Sequence, residues 1–158
     1  MSTPTQSMRP RICLWFEKDG LAAAETYCRL IPDSRIENTV PGPAGQAFIV
    51  EFNLGGVPMM ILNGGPHYTL SPAASIAILT DTQDALDTLW DALLADGGSP
   101  MQCGWLTDRW GVSWQIAPRR LPEMSASPDR QAAARVQAAM MQMVKLDLAA
   151  LERAFAGE

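Results

Sequence analysis

The chain has 158 residues and a formal net charge of −5, with hydrophobic residues at 47% and charged residues at 18%. This length is sufficient to bury an apolar core in one domain, and the composition is typical of a folded globular protein rather than a disordered one. The acidic balance and the scattered basic residues give no positive patch of the kind that binds nucleic acid, so that function is excluded.

The three cysteines are Cys13, Cys28 and Cys103, an odd number without a CxxC pair. This pattern argues against a disulfide framework and a zinc knuckle, and favours reduced thiols in a cytoplasmic protein. Residues 1–10 lack the apolar run of a signal peptide, and no segment approaches the ~18 consecutive apolar residues of a membrane span. We therefore expect a cytoplasmic protein that does not bind membranes.

The first half of the chain predicts a unit of one strand, one helix and three further strands. The predicted elements are a strand at 11–17, a helix at 20–31 and strands at 34–40, 46–54 and 57–62. Gly55 and Gly56 supply the positive φ angles of a tight hairpin turn between the last two strands. The composition of residues 63–72 predicts a loop.

A second unit of the same kind follows the loop. Its predicted elements are a strand at 75–80, a helix that Asp81 or Thr82 caps and Gly97 ends, and strands at 101–106 and 112–117. A shift of 63 positions places Ile12 on Ser75 and Tyr27 on Trp90. The chain is therefore predicted to be a diverged duplication of a β-α-β-β-β unit.

The C-terminal part predicts an amphipathic helical extension. Ser127 as N-cap with Pro128 at the first helical position favours a helix start. Apolar residues then form one stripe over about two dozen residues. Lys145 to Asp147 could divide it into two helices, with Asp147 capping the second. The stripe is expected to pack either on its own domain or across a dimer interface.

Three segments carry a resemblance to a known family: Asn63-Gly64-Gly65-Pro66-His67, Gln102 to Gln115, and Met143 to Leu151. With the duplication, they resemble the vicinal oxygen chelate superfamily of glyoxalase and bleomycin-resistance proteins. Within it the chain is similar to the PhnB-like group, often labelled 3-demethylubiquinone-9 3-methyltransferase. The resemblance covers residues 11–155.

This resemblance implies an α+β fold with two βαβββ modules forming curved mixed sheets around a cleft, in a homodimer. The implied organisation is a single domain of residues 1–158 with modules at 11–62 and 75–117 and a C-terminal helical extension at 127–156.

Catalytic relatives hold a divalent metal through His, Glu or Gln on the first and last strands of each module. The matching positions here are Ile12, Met59 or Met60, Ser75 and Gln115, of which only Gln115 is a competent ligand. One amide oxygen cannot replace three or more ligands, so we predict no metal and no other cofactor. A divalent metal with an incomplete ligand set is the open alternative.

The family geometry turns Gln115 toward the pocket, and Ser113 and Ser75 with it. The candidate ligand pocket is therefore Ser75, Cys103, Trp105, Ser113, Gln115 and His67. Cys103 is a weak candidate nucleophile that Arg109 or His67 could activate, or else a thiol packed beside Trp105. The tryptophans either stack on a flat ligand or fill the core. His67, on a loop, is more simply a surface residue.

These residues support binding of a small organic ligand in a metal-free cleft. The first alternative is a metal- or Cys103-dependent enzyme of the glyoxalase or dioxygenase kind. A further alternative is the methyltransferase of the family label. The turn at Gly64 and Gly65 runs into a proline and a loop, not into the helix that a methyl-donor site of the doubly wound type requires. The sequence does not decide whether the protein is an enzyme.

Overall fold

The computed structural model describes residues 9–158. The chain forms two compact units, of which one ends at Thr69 and the other is Leu70–Glu158. Each unit contains one four-stranded mixed sheet. Within residues 9–158, no helix has both the length and the apolar character needed to span a bilayer.

The first unit has the predicted order of elements. They are β1 (Ile12–Phe16), α1 (Gly20–Leu30), β2 (Arg35–Pro41), β3 (Ala47–Leu54) and β4 (Val57–Asn63). The sheet order is β1-β4-β3-β2, with β1 parallel to β4 and the other pairs antiparallel. Gly55 and Gly56 have φ angles of 55° and 94°, so the predicted hairpin turn is confirmed.

One face of this sheet packs against α1, whose Ala23, Ala24 and Tyr27 are buried. The strand residues of that buried face are Leu14, Phe16, Val50, Phe52, Leu54, Met59 and Ile61. Since side chains alternate along a strand, the residues between them lie on the opposite face. We call that side of each sheet its open face. Cys13 and Met60 are paired neighbours there.

The second unit repeats this arrangement with one irregular stretch. Its elements are β5 (Ile76–Thr80), α2 (Gln83–Leu94), β6 (Ser99–Pro100), a 3-10 turn (Gln102–Gly104), β7 (Trp105–Thr107) and β8 (Ser113–Pro118). The sheet order is β5-β8-β7-β6. The strand predicted at 101–106 is confirmed only from Trp105 onward, where β7 begins. Cys103 and Gly104 have φ angles of 61° and 79°, and this left-handed pair interrupts the strand.

Thr82 is the residue that caps α2, because its hydroxyl accepts a hydrogen bond from the Ala85 N–H at 3.2 Å. The core of this unit lies between α2 and the sheet. It contains Leu86, Leu89, Trp90 and Leu93 of α2 with Leu106, Trp114 and Ile116 of the strands.

The duplication is confirmed, but its predicted register is wrong by one residue in the first strand. The helices begin 63 positions apart, at Gly20 and Gln83. The strands before them end 64 positions apart, at Phe16 and Thr80, and both of these residues are buried. The connection from strand to helix is one residue shorter in the second unit. Ile12 therefore corresponds to Ile76 rather than to Ser75.

The extension follows β8 as α3 (Arg120–Ser125), α4 (Arg130–Met140) and α5 (Leu148–Ala156). Ser127 is not the N-cap as predicted; Asp129 is, since its carboxylate accepts bonds from the Gln131 and Ala132 N–H groups at 3.0 Å. The division of the stripe is confirmed, with Asp147 capping α5.

The apolar stripe of the extension is only partly buried, since Val144 is 39% exposed. Val136, Leu146 and Leu151 are at most 1% exposed, and α4 contacts both α3 and α5. These contacts favour packing of the extension on its own unit. Packing of the extension across a dimer interface remains a prediction.

Candidate functional site

The open face of the second sheet gathers most of the predicted pocket residues, and we call it the ligand face. Its members are Ser75, Ala77, Leu79, Trp105, Thr107, Ser113, Gln115 and Ala117. Gln115 is central, because it pairs with Ala77 on β5 and with Trp105 on β7. Leu79 is 42% exposed, so part of this face is accessible to solvent.

Gln115 is oriented by Ser75, which directly precedes β5. The Gln115 side-chain N–H donates to Ser75 Oγ at 2.8 Å. Gln115 Oε1 is left as an acceptor and the Ser75 hydroxyl proton as a donor, so the pair offers both kinds of group to a ligand.

Ser113 lies on the same strand face, two residues before Gln115, and pairs with Thr107 across the sheet. It is 2% exposed, and within residues 9–158 its hydroxyl has no hydrogen-bond partner. A buried polar group without a partner costs about 1–3 kcal/mol. Such a group in a native fold needs an explanation, and one explanation is a ligand that completes the bond.

Cys103 does not lie on the ligand face. It occupies the 3-10 turn before β7, partly exposed, with its thiol 3.6 Å from Met141 Sδ. Arg109, a predicted activating partner, instead pairs with Asp96 at 3.1 Å and lies 4.1 Å above the ring of Trp110. The other predicted partner, His67, is exposed in the loop after β4 of the first unit. Among the described residues, no hydrogen bond joins Cys103 to Arg109.

The tryptophans of the 102–115 stretch have different environments. Trp114 is fully buried, and its indole N–H donates to Asp108 Oδ2 at 2.9 Å. Asp108 is itself 4% exposed and accepts further bonds from the backbone N–H groups of Trp110 and Val112. Trp114 thus belongs to the core and Asp108 holds the turn, whereas Trp105 lies beside Gln115 on the ligand face.

The positions that hold a metal in catalytic relatives contain a poor set of donors here. With the corrected register they are Cys13 and Met60 on the open face of the first unit and Ala77 and Gln115 on that of the second. Partial burial raises the pKa of the Cys13 thiol, which disfavours the thiolate. The first unit offers a protonated thiol and a thioether and the second one amide oxygen, and neither set fits a hard divalent cation. Residues 9–158 contain no group of three or more His, Cys, Asp and Glu side chains placed to hold a metal.

The sequence did not indicate a pocket of about 540 Å³ in the first unit. Lys18, Asp19, Gly20, Gln46 and Asn63 are among the residues that line it. Asn63 Oδ1 accepts the Gly20 N–H at 2.9 Å and its Nδ2 donates to the Ala47 carbonyl at 2.8 Å. The prediction that Asn63 lies in a loop is wrong, because it is the last residue of β4, and no local pattern shows that it joins the start of α1 to β3.

Solved structures share this fold. FosX, a genomically encoded fosfomycin resistance protein from Listeria monocytogenes, is 15% identical, with 75% of this chain and 97% of that chain covered and a TM-score of 0.53. A glyoxalase/bleomycin resistance protein/dioxygenase family enzyme from Burkholderia phytofirmans PsJN is 13% identical, with 67% and 94% covered and a TM-score of 0.50. The fold is that of the glyoxalase and bleomycin-resistance, or vicinal oxygen chelate, superfamily, as predicted.

Residues 9–117 match the family described as 3-demethylubiquinone-9 3-methyltransferase, and the chain belongs to this family. A PhnB protein from Bacillus cereus, which carries the same methyltransferase description, is 25% identical. That match covers 69% of this chain and 98% of that chain, with a TM-score of 0.63. Among curated proteins, none matches the chain. The family match ends before α3, so the extension lies outside it.

Proposed function

We propose that the ligand face binds a small, uncharged organic molecule with a flat apolar part and a hydrogen-bonding group. The observation that carries this proposal is the buried Ser113 hydroxyl, which lies on the same face as Gln115 and has no hydrogen-bond partner among the described residues. A ligand group that reaches both side chains would remove the cost of the unpaired hydroxyl. The proposal concerns binding; it assigns no reaction.

The chemistry of the face supports an uncharged ligand. Trp105, Ala77 and Leu79 offer apolar surface, and Trp105 offers a ring on which a flat molecule can stack. The polar groups of the face are hydroxyls and one amide, with no charged side chain among its members. A buried charge without a counter-charge is strongly disfavoured, so an amide, alcohol or ketone should bind better than a carboxylate of the same shape.

Isothermal titration calorimetry with 2-naphthamide and 2-naphthoate tests this preference directly. The two probes share size and shape and differ in charge. We expect 2-naphthamide to bind and 2-naphthoate to bind at least about tenfold more weakly, because the carboxylate would lose hydration without gaining a cation. Equal binding of the two, or binding of the carboxylate alone, would contradict the proposed ligand class.

Two variants test the site itself. Gln115→Leu should weaken binding of 2-naphthamide about tenfold, since one hydrogen bond to the ligand is lost. Ser113→Ala should also weaken binding, yet leave the urea unfolding midpoint equal or higher, because no protein hydrogen bond is removed. Gln137→Leu on the exposed surface of α4 is the matched control. If both site variants bind like the parent protein, the ligand lies elsewhere.

Metal analysis of the purified protein separates this proposal from the enzyme alternative. A stoichiometric divalent metal that Gln115→Leu removes would favour the metal-dependent reading. Transfer of a methyl group from a methyl donor would favour the methyltransferase activity that the family description states. The homodimer implied by the resemblance also stays a prediction, which sedimentation velocity tests.

A further inference from the structure

The segment that joins α4 to the first residue of α5 crosses the 3-10 turn that precedes β7. We call this segment, residues 141–148, the tail strap. The Cys103 N–H donates to the Met143 carbonyl and the Gly104 N–H to the Val144 carbonyl, both at 2.8 Å. Leu146 is 1% exposed and packs against Gly104. The turn thus takes two of its backbone hydrogen bonds from the strap and not from the sheet.

One side chain of α2 anchors the strap. The Gln83 side-chain N–H donates to the Leu146 carbonyl at 3.0 Å, and Gln83 Oε1 accepts the Leu148 N–H at 2.8 Å. The amide of Gln83 therefore pairs with the strap backbone in the way a peptide group of a neighbouring strand would. Lys145 adds an ion pair to Asp87, with Nζ 2.9 Å from Oδ1.

The turn connects the strap to the ligand face through the chain itself. Gly104 is followed at once by Trp105, whose N–H donates to the Gln102 carbonyl and whose carbonyl accepts the Met101 N–H at 2.8 Å. Cys103 keeps a φ of 61°, a left-handed conformation that costs a residue with a side chain about 1–2 kcal/mol. Such a conformation persists when surrounding contacts hold it, and the strap supplies those contacts.

We propose that Gln83 is a positioning residue, which acts through the tail strap to fix the Cys103-Gly104 turn and the place of Trp105 on the ligand face. Gln83 is not itself on the ligand face, so its effect on a ligand is indirect. The family match covers residues 9–117, and the strap lies outside it. The extension thereby becomes a determinant of this chain's own ligand selectivity, an effect that rests on the proposed function.

The reactivity of the Cys103 thiol tests the proposal without any ligand. In a Cys13→Ser/Cys28→Ser background, Cys103 is the only thiol that Ellman's reagent can modify. Gln83→Leu removes both hydrogen bonds to the strap at similar side-chain volume. We expect it to raise the rate of Cys103 modification about tenfold, because the strap opens more often. Asp84→Asn, one residue along on the exposed side of α2, should leave the rate unchanged.

Far-ultraviolet circular dichroism tests whether the variants are folded. Lys145→Met is a milder variant, which should raise the rate of Cys103 modification less than Gln83→Leu does. A Gln83→Leu rate equal to that of the parent, in a folded protein, would overturn the positioning role, and so would an equal rise in Asp84→Asn. Affinities for 2-naphthamide and the smaller benzamide supply the second readout. The ratio of these two affinities should differ between Gln83→Leu and the parent protein. If the parent protein binds neither amide, the proposed ligand fails while the thiol rates still decide the role of Gln83.

Discussion

Replacing Gly104 with alanine should destabilise the second unit more than an ordinary glycine substitution does. Gly104 has a φ of 79°, where an L residue costs about 1–2 kcal/mol. A Cβ there would also lie 2.8 Å from the Ile116 carbonyl oxygen and 2.9 Å from Leu146 Cδ1. The oxygen belongs to the backbone of β8 and cannot turn away. Overpacking of this kind costs about 1–3 kcal/mol, so Gly104→Ala should lose about 2–5 kcal/mol in total.

Gly111→Ala separates the two contributions. Gly111 also has a left-handed φ, 88°, but a Cβ at that position would meet no atom within 4 Å. This variant should therefore show the backbone cost alone, about 1–2 kcal/mol. Urea unfolding followed by tryptophan fluorescence measures both, with Trp114 reporting on the same unit from its buried site. In thermal unfolding the difference should appear as a lower midpoint for Gly104→Ala.

Equal destabilisation by the two substitutions would refute this reasoning. It would mean that the space beside Gly104 admits a methyl group, and that Leu146 does not pack against the turn as described. The tail strap would then lack the Leu146 packing and keep its two backbone hydrogen bonds and the Met141–Cys103 contact.

The other predictions concern single side chains. Asp108→Asn should cost about 2–3 kcal/mol in urea unfolding, because the amide oxygen can still accept the Trp110 and Val112 N–H groups but the amide NH2 would face the Trp114 indole N–H; a loss below about 1 kcal/mol would contradict this. Lys145 lowers the pKa of Asp87, so their ion pair stabilises the fold above the ordinary carboxyl pKa and is lost as the pH falls through the lowered value. Lys145→Met should thus be less stable than the parent at pH 7, by under about 1 kcal/mol for this half-exposed pair, and equally stable near pH 2; an unchanged difference at acid pH would exclude the charge effect. Thr82→Ala should cost about 1 kcal/mol while Asp81→Ala, at the other candidate cap, changes little; the reverse order in thermal melts would reassign the cap.

The sequence predicted the elements whose signals are local. Alternation of apolar residues located β3, and two consecutive glycines located the turn after it. Asp147, a good N-cap in the middle of an apolar stripe, correctly marked the start of α5. The ligand face was predictable to the same extent, because alternation from Gln115 places Ser113 on the same side of β8.

What the sequence did not show depends on contacts between distant residues. The strand predicted at 101–106 is broken by a left-handed pair, and the carbonyls that hold this pair belong to Met143 and Val144. The register of the duplication was wrong in the first strand because one connection is a residue shorter. A slip of one residue exchanges the two faces of a strand, so Ile12 was taken for a position that Cys13 occupies. Within residues 9–158 the Ser113 hydroxyl lacks a hydrogen-bond partner, and this too is a property of its surroundings in the fold that no pattern in the sequence records.

The tail strap has a consequence for the order in which the protein is made. Met141 reaches the Cys103 thiol from 38 residues further along the chain. During synthesis, β5, α2, β7 and β8 leave the ribosome before the strap does, because they precede it in the chain. The hydrogen bonds from the Cys103 and Gly104 N–H groups cannot form until Met143 and Val144 have left the ribosome. The ligand face of a nascent chain is therefore assembled last, and a chain interrupted before Leu146 should fold its sheet without a settled place for Trp105.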